Sequence, residues 1–235
     1  MPRDSRVPAG VKSWLAAQRD WRTLFIRRGI PSATTRVFAA RDGKVGTAEL
    51  DDVRQVADLD LTSLTPYDGR LYLVCTHGRH DACCAELGRP LWQALADTAP
   101  EETWQVSHIG GDRFAANVLV LPDGLYYGRL SSADARRLVA ADRAGRVDLA
   151  HLRGRCRYPF AAQAAEVFLR TELRETRADA LELVTCTDRT AIFERGGRLF
   201  RVDVRRHETL EKLTCRAVAP ARGWYYELAG VSELT

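Results

Sequence analysis

Long apolar runs are missing from this sequence. Nothing in it approaches the ~18 consecutive apolar residues that mark a membrane-spanning helix, so neither a span nor a membrane partner is expected. The N-terminal stretch MPRDSRVPAGVKSWLAAQRDW lacks both the apolar centre and the small-residue cleavage site of a secretory leader, which predicts a cytoplasmic protein. An excess of one charge is missing as well: 35 Lys and Arg against 31 Asp and Glu leave +4, spread over the whole length. A protein that tracks phosphates concentrates its basic residues on one face, so no nucleic acid partner is expected. Cysteine is scarce, six residues placed unevenly with Cys83 and Cys84 adjacent, and this excludes a secreted disulfide scaffold. Internal repeats and low-complexity tracts are absent too.

What remains is a globular composition, 46% hydrophobic and 28% charged over 235 residues, which suits one or two compact modules. Val11, Trp14, Leu15, Gln18, Trp21, Leu24 and Phe25 recur at helical spacing and predict an amphipathic helix over 11–28. Two strands are predicted around the Asp42-Gly43 turn, and the apolar run Leu71–Cys75 reads as a buried central strand. Residues 84–97 show Leu87, Leu91, Ala94 and Leu95 at helical spacing and predict a helix from about Cys84, with Pro90 favouring a later start. A strand over 103–108, a hairpin over Pro122-Asp123-Gly124 and a helix capped by Ser131 or Ser132 follow.

This order of strand, helix, strand, loop, hairpin and helix is that of a thioredoxin-like module with its second crossover shortened to IGGDRFAA. Beyond it, a helix with Pro159 in its first turn precedes strands at LELVTCTD, TAIFERGGRLFRVDVRR and ETLEKLTCRAV, with a hairpin at Gly196-Gly197. The organisation expected is an N-terminal helix and hairpin (1–64), a core (65–145), and a C-terminal helix with a small antiparallel sheet (146–235).

Chemistry concentrates in CTHGRHDACC, residues 75–84. It sets one thiol at the end of a buried strand and others at the start of the next helix, whose unpaired amides favour thiolate, so both kinds are expected to lean toward it. A second loop, Ser107-His-Ile-Gly-Gly-Asp112, also follows a strand. If the two strands are parallel neighbours, their loops leave one sheet edge and their side chains converge.

Together, CTHGRHDACCAELGRP and SHIGGDRFAANVLVLPDGLYYGRL resemble the sucrase/ferredoxin-like family, strongly over residues 65–130 and more weakly to about 220. The resemblance implies an α/β fold, a thioredoxin-like ferredoxin core with a C-terminal α+β extension. It also implies a 2Fe-2S cluster held by two Cys and two His. By position Cys75 and Cys84 correspond to the thiolate ligands and His108 to the first imidazole. Where the second imidazole would fall this chain has Asp112, and Cys83 or Cys215 are the alternatives for that fourth place. No pair of glycosidase carboxylates supports the sucrase half of the family's description.

The reading is an electron carrier rather than an enzyme, working with a redox partner protein. Imidazole ligation makes a cluster less negative and raises its potential, and Arg79, Arg89 and Arg113 could offer a docking surface. Two other classes stay open. A thiol–disulfide oxidoreductase wants a C-x-x-C pair at a helix start, whereas the pair here is adjacent, and a structural zinc module would accept the same donors. Cys156, Cys186, His151, His207, Tyr126, Tyr127 and Asn117 are expected to be structural.

Overall fold

The structure, a computed structural model, describes residues 7–29, 32–78, 82–215 and 217–234. In chain order these form α1 (Ala9–Ala17), β1 (Ile26–Arg27), β2 (Thr35–Arg41), β3 (Lys44–Leu50), β4 (Thr65–Pro66), β5 (Leu71–Cys75), α2 (Ala82–Thr98), β6 (Thr103–Val106), β7 (Val118–Leu121), β8 (Leu125–Tyr127), α3 (Ala135–Arg143), β9 (Leu152–Arg155), α4 (Phe160–Leu173), β10 (Glu182–Cys186), β11 (Thr190–Arg195), β12 (Arg198–Glu211) and β13 (Ala221–Leu234). No helix among the described residues is long and apolar enough to cross a membrane.

The central sheet has the order β1-β6-β5-β7-β8-β9. β5 and β6 run parallel, joined by α2 as the crossover, while β7 pairs antiparallel with β5 and β8 with β7. With α3 packed beside α2, this is the thioredoxin-like arrangement. β5 is apolar throughout because both of its faces are covered. Tyr72 and Val74 join Leu91, Leu95, Val118, Val120, Leu138 and Val139 under the helices. Leu71, Leu73 and Cys75 face the other way, among Trp104, Val106, Leu119, Val45 and Phe38, beneath the small sheet β2-β3-β4. The period-2 alternation of the strand therefore sets Cys75 on the face opposite Tyr72 and Val74, where Cys84 from the start of α2 joins it.

The C-terminal sheet β10-β11-β12-β13 packs against α4, burying Ala162, Ala165, Leu169, Phe193, Val202 and Val204. One buried carboxylate joins it to the rest: Glu166 of α4 accepts from Arg155 of β9 and from Arg170, both at 3.0 Å.

Several expectations need correction. The predicted helix over 11–28 ends at Ala17; the chain turns at Gln18–Trp21, and Ile26–Arg27 pairs antiparallel with Val106 and Gln105. Those later apolar residues serve a sheet edge, a tertiary use that overrides local periodicity. The strand over 103–108 stops at Val106, which leaves Ser107 and His108 in the loop. α2 is helical from Ala82 and carries Pro90 inside it, so the proline does not delay the start. ETLEKLTCRAV is not a strand of its own: β12 runs through to Glu211, and Leu213–Cys215 form a turn. β9 and β13 were not anticipated, and β13 pairs along nearly the whole of β12. Asp42-Gly43, Pro122-Asp123-Gly124 and Gly196-Gly197 do turn hairpins, and Ser131 closes a capping box with Asp134.

Candidate metal centre

The parallel pairing of β5 and β6 sets Cys75 opposite Val106, so the loops after both strands leave the same sheet edge. α2 returns over that edge at very short range. At Gly88 a Cβ would lie 2.1 Å from the Cys75 carbonyl oxygen, so only glycine lets the helix sit there. Its buried residues Cys84, Ala85, Gly88, Leu91 and Leu95 follow one helical stripe, and the first of them brings a thiol back to the strand end. In the second loop Gly110 and Gly111 both adopt positive φ, 87° and 78°, and a short 3-10 turn from Asp112 to Phe114 follows. Asn117 Nδ2 donates to the Gly111 carbonyl at 2.9 Å and holds the turn from below, as expected of it.

These elements bring Cys75, Cys84 and His108 together, with donor atoms within 4.8 Å of one another. Both sulfurs are buried and His108 is half-buried. Asp112, also buried, touches two members of the trio: Cys84 Sγ–H donates to its Oδ1 at 3.3 Å, and His108 Nδ1 lies 3.0 Å from the same oxygen. Cys83, next in the chain, donates its backbone N–H to Cys215 Sγ at 3.2 Å. Cys215 arrives from the far end of the β12–β13 hairpin, which Arg113 anchors by pairing with Glu211 and donating to the Trp224 carbonyl at 2.6 Å. Arg79 and His80, singled out in the sequence, lie outside the described residues.

The electrostatics separate the two thiols. Cys75 is pushed well below the usual thiol range by the Cys84 S–H that donates to it, helped by His108 and by the backbone amides of His77 and Ile109, against burial. Cys84 is pushed up by the neighbouring Cys75 thiolate, by burial and by Asp112. The expectation that both lean toward thiolate is therefore corrected: one thiolate forms, and its charge keeps the proton on the second sulfur. His108 is raised by its bond to Cys75 and by the Asp112 charge, against burial.

Of the residues expected to be structural, Tyr126 and Tyr127 are buried on β8, Cys186 lies on β10, His151 Nδ1 is 2.9 Å from Asp148, His207 Nε2 is 2.8 Å from Glu227, and Cys156 is exposed. Two contributors to the site went unnoticed in the sequence: Gly88, and the amide of Ile109. A glycine in the middle of an otherwise well-formed helix stripe was the available signal for the first.

The sequence profile described as sucrase/ferredoxin-like matches residues 17–154, more than half of the chain. This chain belongs to the sucrase/ferredoxin-like family. The matched segment holds β5, α2, β6, both loops and the whole donor trio. Among curated proteins, altered inheritance of mitochondria protein 32 of Meyerozyma guilliermondii is 30% identical over a stretch covering 29% of this chain and 28% of that protein. The chain thus spans little more than a quarter of that relative's length. Among solved structures, the thioredoxin-like 2Fe-2S ferredoxin from Aquifex aeolicus is 19% identical, with 40% of this chain and 97% of that one covered at a TM-score of 0.35. A cysteine-to-serine variant of it is 20% identical, with 36% and 97% covered at a TM-score of 0.32. The thioredoxin-like character of this family member is carried by its own strand order and directions.

Proposed function

We propose that the protein is a 2Fe-2S electron-transfer protein in which Cys75, Cys84 and His108 hold the cluster and Asp112 supplies the fourth donor. The observation that carries this reading is the convergence of two buried sulfurs and one imidazole at the carboxyl edge of the parallel pair β5–β6. The donor set fits the group. Thiolates and imidazole are iron–sulfur ligands, and Asp112 already contacts Cys84 and His108. When bound, the cluster supplies a one-electron redox centre whose potential imidazole raises above that of an all-thiolate site.

The protein's own groups prepare the site for it. The Cys84 S–H and the amides of His77 and Ile109 stabilise a thiolate at Cys75. Asp112 lies 3.0 Å from His108 Nδ1 and accepts the hydrogen bond of the Cys84 S–H, whose proton must pass to solvent before that sulfur can ligate. His108 borders a cleft, so the imidazole side of the site is the one that would face solvent. A redox partner protein, in the cytoplasm, is part of this proposal.

The closeness of the trio favours a second reading, a mononuclear zinc site. Donors ~2.0–2.3 Å from a single ion stand only a few ångströms apart, as these do.

Ligand substitution in the iron-loaded full chain tests the assignment. Cys75→Ser should abolish the visible spectrum, and Asp112→Ala should make the cluster labile while Asp112→His retains it at a higher potential. The parent potential should fall with rising pH over some range, because reduction raises the pKa of the imidazole nitrogen that does not ligate, and His108→Cys should remove that dependence. Retention of content, potential and EPR shape in Asp112→Ala, with loss in Cys83→Ser or Cys215→Ser, would move the fourth place to one of those cysteines. A parent potential flat with pH would contradict imidazole ligation.

A further inference from the structure

We infer that the cleft beside His108 binds a small polyanion, a molecule bearing carboxylate or phosphate groups. The cleft measures about 650 Å3 and lies between the end of α1 and the loops after β5 and β6, with Arg19, Trp21, Arg22, His77, Ser107 and His108 in its wall. A smaller one of about 290 Å3 adjoins it through His77 and Ser107 and adds Arg27 and Arg89. The larger volume falls within the ~300–1,000 Å3 of small-molecule sites.

Charge decides the class of ligand. Among the described residues, none that lines either cleft is acidic. Several arginines elsewhere in this protein are matched with carboxylates, as Arg28 with Glu101, Arg36 with Glu49 and Arg70 with Asp142, while others, Arg41 over Trp21 among them, are not. Arg19, Arg22, Arg27 and Arg89 have no carboxylate partner among the described residues. Two of the four are instead held by neutral groups: Arg22 donates to the Tyr126 hydroxyl at 2.9 Å and Arg27 to Gln105 Oε1 at 3.0 Å. Such contacts fix a guanidinium in place and leave its charge uncancelled, and a concave wall of one sign focuses the field on whatever enters. Ser107 Oγ accepts from the Phe25 amide at 3.0 Å, which leaves its own O–H to donate. The wall is thus rich in fixed donors and cations. Asp112, the carboxylate of the neighbouring centre, is buried and engaged by Cys84 and His108.

This inference goes beyond the cluster reading and does not need it, because neither Arg19 nor Arg22 is a metal donor. It places an anion against His108, where a small redox carrier or an effector would meet the centre. Calorimetric titration of the full chain with citrate and with pyrophosphate, in iron-loaded and iron-free protein, tests it. At least one of the two should bind saturably at one site, more tightly at low ionic strength. Citrate alone would mark carboxylate chemistry and pyrophosphate alone phosphate chemistry. Arg19→Gln and the pair Arg19→Gln with Arg22→Gln should each weaken binding, the pair by roughly tenfold or more, as for loss of a charge-assisted hydrogen bond. Arg198→Gln, which breaks a pair with Glu233 outside the cleft, should leave it unchanged. Absence of saturable binding for both anions, or equal affinity in the double variant and parent, overturns the inference. Binding of a hexaglutamate peptide with neither small anion overturns it as well and assigns the cleft to an acidic protein. Iron and sulfide content, measured in the same samples, reports on the cluster reading separately.

Discussion

Cys84 holds a proton between two acceptors, the Cys75 thiolate and the Asp112 carboxylate, and that sharing controls the pH behaviour of the iron-free chain. Cys75 has a folded pKa below its unfolded one. Its contribution to stability is therefore full above the ordinary thiol value of 9.0 and lost as pH falls toward the folded value. Cys84, with its pKa raised, behaves in the opposite sense: its contribution is full below 9.0 and lost as pH rises. The pair should stabilise the iron-free protein most near the ordinary thiol range and less on either side. Because each sulfur is the first cause of the other's shift, Cys84→Ala should flatten both flanks. Urea unfolding of reduced, metal-free parent and variant over that range measures the difference, and parallel stability curves would contradict the shared proton.

At the level of elements, α2 and β5 meet with no room for a side chain. Gly88→Ala would put a methyl group against the Cys75 carbonyl, 2.1 Å away, and the obstacle is backbone that cannot swing aside. Overpacking of this kind costs ~1–3 kcal/mol, and here the displaced atoms carry Cys75 and Cys84. Lower thermal stability together with reduced metal content is the expected result, and unchanged metal content would show that the helix can shift without opening the trio. The same contact explains part of what the sequence could and could not reveal. β5 was legible because five buried apolar residues in a row suit a doubly covered strand. The hairpin turns were legible because Asp-Gly and Gly-Gly act locally. Cys75, Cys84 and His108 stood out by spacing and by their position at element ends. Residues 18–28 misled because Leu24 and Ile26 pack on the sheet's second face through a strand pairing about eighty positions away, which no local period encodes. The role of Gly88 and the cation-lined cleft likewise depend on contacts between elements, not on any pattern within one.

Across the whole molecule, the thioredoxin-like core and the C-terminal unit are joined by the buried triad of Arg155, Glu166 and Arg170. Arg170 and Glu166 are fully buried, and the two guanidiniums also donate to the carbonyls of Arg177 and Ala178. Removing the single carboxylate would leave two cations in the interior, so Glu166→Ala should cost ~3–5 kcal/mol, read as a lower denaturant midpoint. A loss below ~1 kcal/mol would mean that the triad is a solvated surface pair in disguise. That same C-terminal unit carries Cys215 to the Cys83 amide at the head of α2 through the long β12–β13 hairpin, while Cys75, Cys84, His108 and Asp112 gather at one sheet edge.

Elemental analysis of the anaerobically purified protein decides what those donors hold. Iron and acid-labile sulfide should each be present at two per chain, with an EPR signal that appears on reduction. One equivalent of zinc with no sulfide would contradict the cluster reading and leave the site a structural metal centre.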